Sequence, residues 1–183
     1  MNLTKTILIL LLVFIVIGCS EEKTQDIAEK YLAEQGYEVI TTIESPAVSS
    51  FTLVEEDVSD EKKPMLAGTI VKRMWLVQEQ ELKDYKGEKI EVKQFVVENH
   101  PLDDWVSEYD ETLKSVGETH VTLLVVDGDV IGGTSAPGLN RSVAGNPQFS
   151  LDGKTFEEVH PGKSYTVWSD DWIETYLDYI KYE

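Results

Sequence analysis

His120-Val121-Thr122-Leu123-Leu124-Val125-Val126-Asp127-Gly128-Asp129-Val130-Ile131-Gly132-Gly133 is the stretch that decides the fold of this chain. Two runs, His120 to Val126 and Asp129 to Gly133, flank the dipeptide Asp127-Gly128. Asp-Gly favours the type I′ turn, whose backbone twist matches that of the strands it joins, so the stretch predicts a tight antiparallel hairpin. Upstream, Lys89 to Glu98 alternates: Ile90, Val92, Gln94 and Val96 point one way, and Glu91, Lys93, Phe95 and Val97 the other. One buried and one mixed face is the pattern of an antiparallel sheet covered on a single side.

Leu66 to Glu81 reads as another long strand, joined to Lys89–Glu98 through Asp84-Tyr85-Lys86-Gly87-Glu88, where Gly87 can supply a positive φ. Tyr37 to Ile43 and Ser49 to Val54 are rich in β-branched and aromatic residues and suit two strands with a turn at Glu44-Ser45-Pro46. The acidic run Glu55 to Lys63, ended by Pro64, reads as a solvated loop, and Gly132 to Pro147 as a Gly- and Pro-rich connection. Leu151-Asp152-Gly153-Lys154 gives another turn signal.

Three helices are expected. Ile27, Tyr31 and Leu32 recur at helical spacing within Thr24 to Gln35, with Gly36 placed to stop the helix in a left-handed C′ conformation. Trp105, Tyr109, Leu113 and Val116 follow Asp103 and Asp104 and precede Gly117, which predicts a short middle helix. Ser169 is an N-cap candidate before Asp170 and Asp171, with Trp172, Ile173, Tyr176, Leu177 and Ile180 on one stripe. Hairpin-joined strands with helices at both ends and one between define an α+β domain with a mainly antiparallel sheet.

The N-terminal region carries a different signal. Lys5 is followed by an uninterrupted apolar run from Ile7 to Ile17, about 16 Å long as a helix and roughly half of a ~30 Å hydrocarbon core. A basic start, a short apolar stretch and a small residue before a cut mark a cleaved secretory signal. An uncleaved signal anchor with an incidental cysteine is the alternative. Val16-Ile17-Gly18-Cys19 resembles the lipobox of a bacterial lipoprotein signal peptide, and that resemblance implies a lipid on the Cys19 sulfur and removal of residues 1–18. Two acyl chains make a stable anchor. The division expected is a signal over 1–18, a lipidated tether over 19–25 and an extracytoplasmic α+β domain over 26–183.

Removing 18 of 183 residues leaves 165, enough for one domain with its own core. All 34 acidic residues lie beyond the cut and one basic residue, Lys5, lies before it, so the formal charge of −18 becomes −19. Such a surface repels nucleic acid phosphates and anionic headgroups. With Cys19 the only cysteine, no disulfide or catalytic thiol remains after lipidation.

Candidate chemistry is sparse. Gly132-Gly133-Thr134-Ser135-Ala136-Pro137-Gly138 could cradle an anion but lacks a P-loop ending, and reads better as a flexible surface loop. Asp127 and Asp129 supply too few oxygens for calcium, and Glu55, Glu56, Asp57, Asp60 and Glu61 form a solvated charge run. His100, His120 and His160 have no zinc-ligand spacing. Ser135 has no nucleophile elbow around it. Trp75, Trp105, Trp168 and Trp172 could line a stacking site, but the periodicity around Trp105 and Trp172 favours core packing, leaving Trp168 least explained. No cofactor, metal or catalytic residue is expected.

Val125-Val126-Asp127-Gly128-Asp129-Val130-Ile131-Gly132-Gly133 through Ser150-Leu151-Asp152-Gly153-Lys154-Thr155-Phe156-Glu157-Glu158-Val159 also resembles a group of small Gram-positive lipoproteins of uncharacterised function. Ala33-Glu34-Gln35-Gly36-Tyr37-Glu38-Val39-Ile40 and Val97-Glu98-Asn99-His100-Pro101-Leu102 fit the same group. The expectation is a lipid-anchored, non-enzymatic binding module on the outer face of the cytoplasmic membrane. Its partners would be membrane lipid, through Cys19, and a protein or small molecule, with no nucleic acid. An extracytoplasmic hydrolase using carboxylates from separate segments is the alternative.

Overall fold

The computed structural model describes residues 26–44, 46–55, 65–143 and 145–182. The signal, the lipobox, the tether and most of the acidic run lie outside them. The domain is α+β, with a six-stranded antiparallel sheet and helices packed on it.

Helix α1 (Ile27–Glu34) starts where the Asp26 carboxylate accepts the Ala28 N–H at 2.9 Å. It ends at Gly36, φ +86°, with Gly36 N–H bonded to the Ala33 carbonyl and Tyr37 N–H to that of Leu32. This is the paired-bond C-cap for which a glycine is suited. Strands β1 (Glu38–Ile43) and β2 (Ser50–Leu53) do not pair with each other; both pair antiparallel with β3 (Lys89–Glu98), end to end along it. The interruption around Pro46 thus breaks one strand line in two instead of turning a hairpin.

Strand β3 pairs with β4 (Ser115–Val126), and β4 with β5 (Asp129–Leu139) across the predicted turn, where Asp127 and Gly128 have φ +50° and +87°. Strand β6 (Ile180–Tyr182) pairs with β2, giving the order β5-β4-β3-β2-β6 with β1 beside β3.

Helix α2 (Met65–Trp75) occupies the first part of Leu66–Glu81, the stretch expected to be a strand. The run Thr69-Ile70-Val71 has strand propensity, but Gly68, Val71, Met74 and Trp75 are buried at helical spacing and tertiary packing decides. The expected middle helix over 103–116 is not formed. Pro101–Asp104 makes one 3-10 turn, Val106 then bridges to Lys114, and Tyr109 is 97% exposed. The Asp110 carboxylate accepts both the Thr112 N–H and its hydroxyl, a local bond that competes with helix formation. The middle helix of the domain is therefore α2.

After a one-turn helix α3 (Phe156–Val159), α4 runs from Tyr165 to Tyr176, so Ser169 is not its N-cap. Ser169 lies mid-helix, buried, and its Oγ accepts from Lys72 Nζ at 2.9 Å, tying α4 to α2. Ile173 is exposed and Ile180 belongs to β6.

Both faces of the sheet are covered, not one. Ala28 and Leu32 of α1 pack on Phe95, Val97, Val121, Leu123 and Val125. Val71, Met74, Trp75 and Trp172 of α2 and α4 pack on Phe51, Ile90, Val92, Leu124 and Ile180 of the opposite face.

Residues 132–138 are not a surface loop. They continue β5, and Gly133 through Gly138 are buried. The glycines are there because backbone comes close: a Cβ on Gly133 would meet the Thr122 carbonyl oxygen at 2.1 Å. The outer edge of β5 is closed group by group. Gln78, beyond α2, donates through Nε2 to the Gly133 carbonyl at 2.6 Å and accepts the Gly133 N–H at 3.1 Å. Two residues on, Ser135 exchanges both backbone bonds with Phe149. Two further, Pro137 has no N–H to offer. An edge protected in this way presents little to a foreign strand.

Candidate functional site

A cleft of about 650 Å³ lies between α4 and the segment that follows α2. That volume falls within the usual range of small-ligand sites. One wall is the stripe Trp168, Trp172 and Tyr176, spaced i, i+4 and i+8 on α4 and therefore on one side of the helix. Trp172 is 3% exposed and Trp168 half-buried. Their ring centroids are 6.4 Å apart, and Trp172 to Tyr176 is 5.6 Å. His160 stacks on Trp168 at 6.4 Å with planes 24° apart, and Phe156 meets Trp168 edge-on at 5.8 Å. The other wall includes Trp75, whose Nε1 donates to the Gln80 carbonyl at 3.0 Å, and Leu82. The rings are thus held by each other and by backbone, a rigid platform that loses little freedom when a ligand sits on it.

Glu79, Glu81 and Asp171 line the cleft against one lysine, Lys163. The hydrogen bond from Lys83 holds the Glu81 carboxyl below its usual range. The indole N–H of Trp172 is buried with no acceptor among the described residues. The site therefore combines aromatic faces with an excess of negative charge, a setting that favours a cation.

The structure separates the three histidines. His100 is 4% exposed; its Nδ1 accepts the Leu102 N–H at 3.1 Å and its Nε2–H donates to the Leu151 carbonyl at 2.9 Å. His160 is buried and donates from Nε2 to the Leu76 carbonyl at 3.1 Å. His120 is exposed on β4. Ser135 is buried, and its hydroxyl donates to the Ser150 carbonyl at 2.6 Å, a structural bond. Among the described residues, no three His, Cys, Asp or Glu side chains come together as metal ligands, and Asp127 and Asp129 simply bracket the hairpin turn. Cys19 lies outside the described residues.

Burial lowers both His100 and His160 from the ordinary value of 6.5, opposed by the carbonyls they bond. The folded chain accordingly binds fewer protons there than the unfolded chain once pH drops toward 6.5. Their stabilising contribution is complete above 6.5 and is lost as pH falls through the lowered folded values. Melting temperature should be flat from about pH 8 to 7 and decline on acidification below about 6.5. The decline should be shallower in His100→Asn, which keeps a capping acceptor. Equal slopes in the two proteins would remove His100 from the account.

Trp168 is the ring that sequence reasoning failed to place. Its signal was the four-residue spacing 168, 172, 176, which was obscured by starting the helix after Ser169. Trp172 is a core residue, as expected, and Trp75 is one too, yet each also borders the cleft. Trp105 packs elsewhere, edge-on to Phe149. Among the described residues, no helix is long and apolar enough to cross a membrane. No family model, curated protein or solved structure matches the chain.

Proposed function

We propose that this chain is a membrane-anchored lipoprotein with a non-enzymatic binding domain at the outer face of the cytoplasmic membrane, and that the aromatic cleft receives a basic peptide segment of a partner protein. The observation that carries the reading is the Trp168-Trp172-Tyr176 stripe facing an acidic rim. A Lys or Arg side chain over an indole face gains up to about 2 kcal/mol where water is displaced. Asp26, Glu81, Asp110 and Asp152 are all held below the ordinary carboxylate value by bonds from Lys93, Lys83, Thr112 and Lys154 respectively, against an opposing effect of burial that is the largest single influence at Asp152. Of these four Glu81 alone lines the cleft, and its lowered value suits a charge partner for a cation and not a general acid.

Titration calorimetry of the detergent-solubilised chain with tetralysine, choline and tetra-alanine tests the cleft. Tetralysine should bind with saturation and tetra-alanine should not; choline binding equally well would point to a small organic cation in place of a peptide. Trp168→Ala leaves the net charge untouched, so it separates ring contact from bulk attraction. It should weaken tetralysine by roughly tenfold, and an unaltered affinity would rule the cleft out. The anchor is tested separately: Cys19→Ala should abolish acyl labelling and leave precursor or released protein. Undiminished labelling would overturn it.

A further inference from the structure

A second opening lies on the α2 face of the sheet, and its chemistry is the reverse of the first. Along β3 this face runs from Ile90 and Val92 to Gln94, and along β4 from Leu124 to Thr122. The apolar half is covered by α2 and α4. At the polar half a groove of about 300 Å³ opens beside α2, floored by Gln94, Thr122 and Thr134, which are cross-strand neighbours on β3, β4 and β5. Arg73 of α2 borders it, with one Nη2 bond to the Asn146 backbone carbonyl at 2.7 Å. Arginine has five donors, so the fork keeps others to give.

Two observations point to a ligand. Although the sequence carries 34 acidic residues, among the described residues no carboxylate lines this groove and none is paired with Arg73. The side-chain oxygen Oδ1 of Asn146 is buried without a hydrogen-bond partner among the described residues, and Asn146 is one of the residues that line the same groove. A guanidinium without its anion and an amide oxygen without its donor are complementary to one small molecule. Thr122 adds to the donor side: its Oγ1 already accepts from Gln94 Nε2 at 3.2 Å, so its proton is the part it has to offer.

We propose that this groove binds a small carboxylic acid bearing an O–H or N–H donor next to the carboxylate, the pattern shared by hydroxy acids and amino acids. The carboxylate meets the Arg73 fork and the Thr122 hydroxyl, and the neighbouring donor meets Asn146 Oδ1 once that amide turns toward the groove. The volume limits the occupant to a small metabolite-sized molecule. The site is separate from the aromatic cleft, and its success or failure does not depend on that reading.

Calorimetry of the detergent-solubilised full chain with L-malate, L-alanine and succinate decides. Saturable binding of malate or of alanine at millimolar concentration or tighter supports the proposal and tells the two acid types apart. Succinate, which lacks the extra donor, should bind at least about tenfold more weakly than malate. Gln94→Glu keeps the side-chain shape but places a negative charge on the groove floor, and should weaken the bound acid by more than about tenfold. Gln148→Glu, on the loop at the rim, does the same without touching the sheet and guards against a misfolded first variant. No binding of malate or alanine, succinate as tight as the tighter of the two, or unchanged affinity in a folded charge variant would each overturn the site.

Discussion

Gly133→Ala should lower stability by about 3 kcal/mol, a melting temperature drop of roughly 6–12 °C for a domain of this size. The added methyl would lie 2.1 Å from the Thr122 carbonyl oxygen, 2.9 Å from Leu151 Cδ2 and 3.1 Å from Leu123 Cα. Two of those three atoms are backbone of the neighbouring strand and cannot rotate away, so β4 and β5 must separate or slide. Gly133 does not have a left-handed backbone, so alanine brings no conformational penalty of its own and the cost is one of space. Gly36→Ala is the informative control. There φ is +86° with nothing within 4 Å of a Cβ, and the cost should be only about 1 kcal/mol, from the backbone alone. Thermal unfolding followed by circular dichroism measures both. A Gly133→Ala protein as stable as Gly36→Ala would mean that the two strands can part without cost.

Gln78→Leu should be nearly as damaging, at about 2–4 kcal/mol, because it strands two buried backbone groups at once. Gln78 is 6% exposed, and its amide serves the N–H and C=O of Gly133 in the manner of an adjacent strand, with Nε2 also reaching the Met74 carbonyl at 2.9 Å. Leucine fills similar volume and supplies neither donor nor acceptor. Gln78→Glu retains the acceptor for the Gly133 N–H but loses the donor and sets two oxygens face to face. Both variants should also self-associate, since part of the β5 edge is then open to pairing. Denaturant melts give the stability and light scattering the association. A Gln78→Leu protein within 1 kcal/mol of the parent and still monomeric would show that water replaces the amide freely.

These two residues mark where the sequence was legible and where it was not. The Asp127-Gly128 hairpin, the Gly36 stop and the strand over Lys89–Glu98 follow from local chemistry and appear as expected. The α+β class follows with them. What failed was set by distant partners. Thr69-Ile70-Val71 favours a strand locally, but the sheet face offers a helix a place for Val71, Met74 and Trp75. Trp105, Tyr109, Leu113 and Val116 have helical spacing, yet nothing covers Tyr109 or Val116, and the Asp110 turn prevails. The glycines of 132–138 suggested looseness, whereas they permit close approach to β4 and Gln78. Both candidate sites share that history. The cleft depends on α4 extending back to Trp168, and the groove on α2 lying across β3, and neither contact has a local signature.

The pairing of β2 with β6 bears on the order in which the chain organises. Strands β3, β4 and β5 form a meander from Lys89 to Leu139, with β4 and β5 joined by the Asp127-Gly128 turn and β3 and β4 by residues 99–114, while the Phe51 to Tyr182 match bridges most of the described chain. Closing so long a loop carries the larger entropic cost, so the meander is the natural nucleus and β6 docks late. Helix α4 leads through one 3-10 turn, Leu177–Tyr179, into β6, which places the aromatic wall in the late-forming, more readily opened part of the molecule. Occupancy of that wall should therefore slow amide exchange in β2 and β6 more than in the meander, so that ligand capture and the last folding step become one equilibrium.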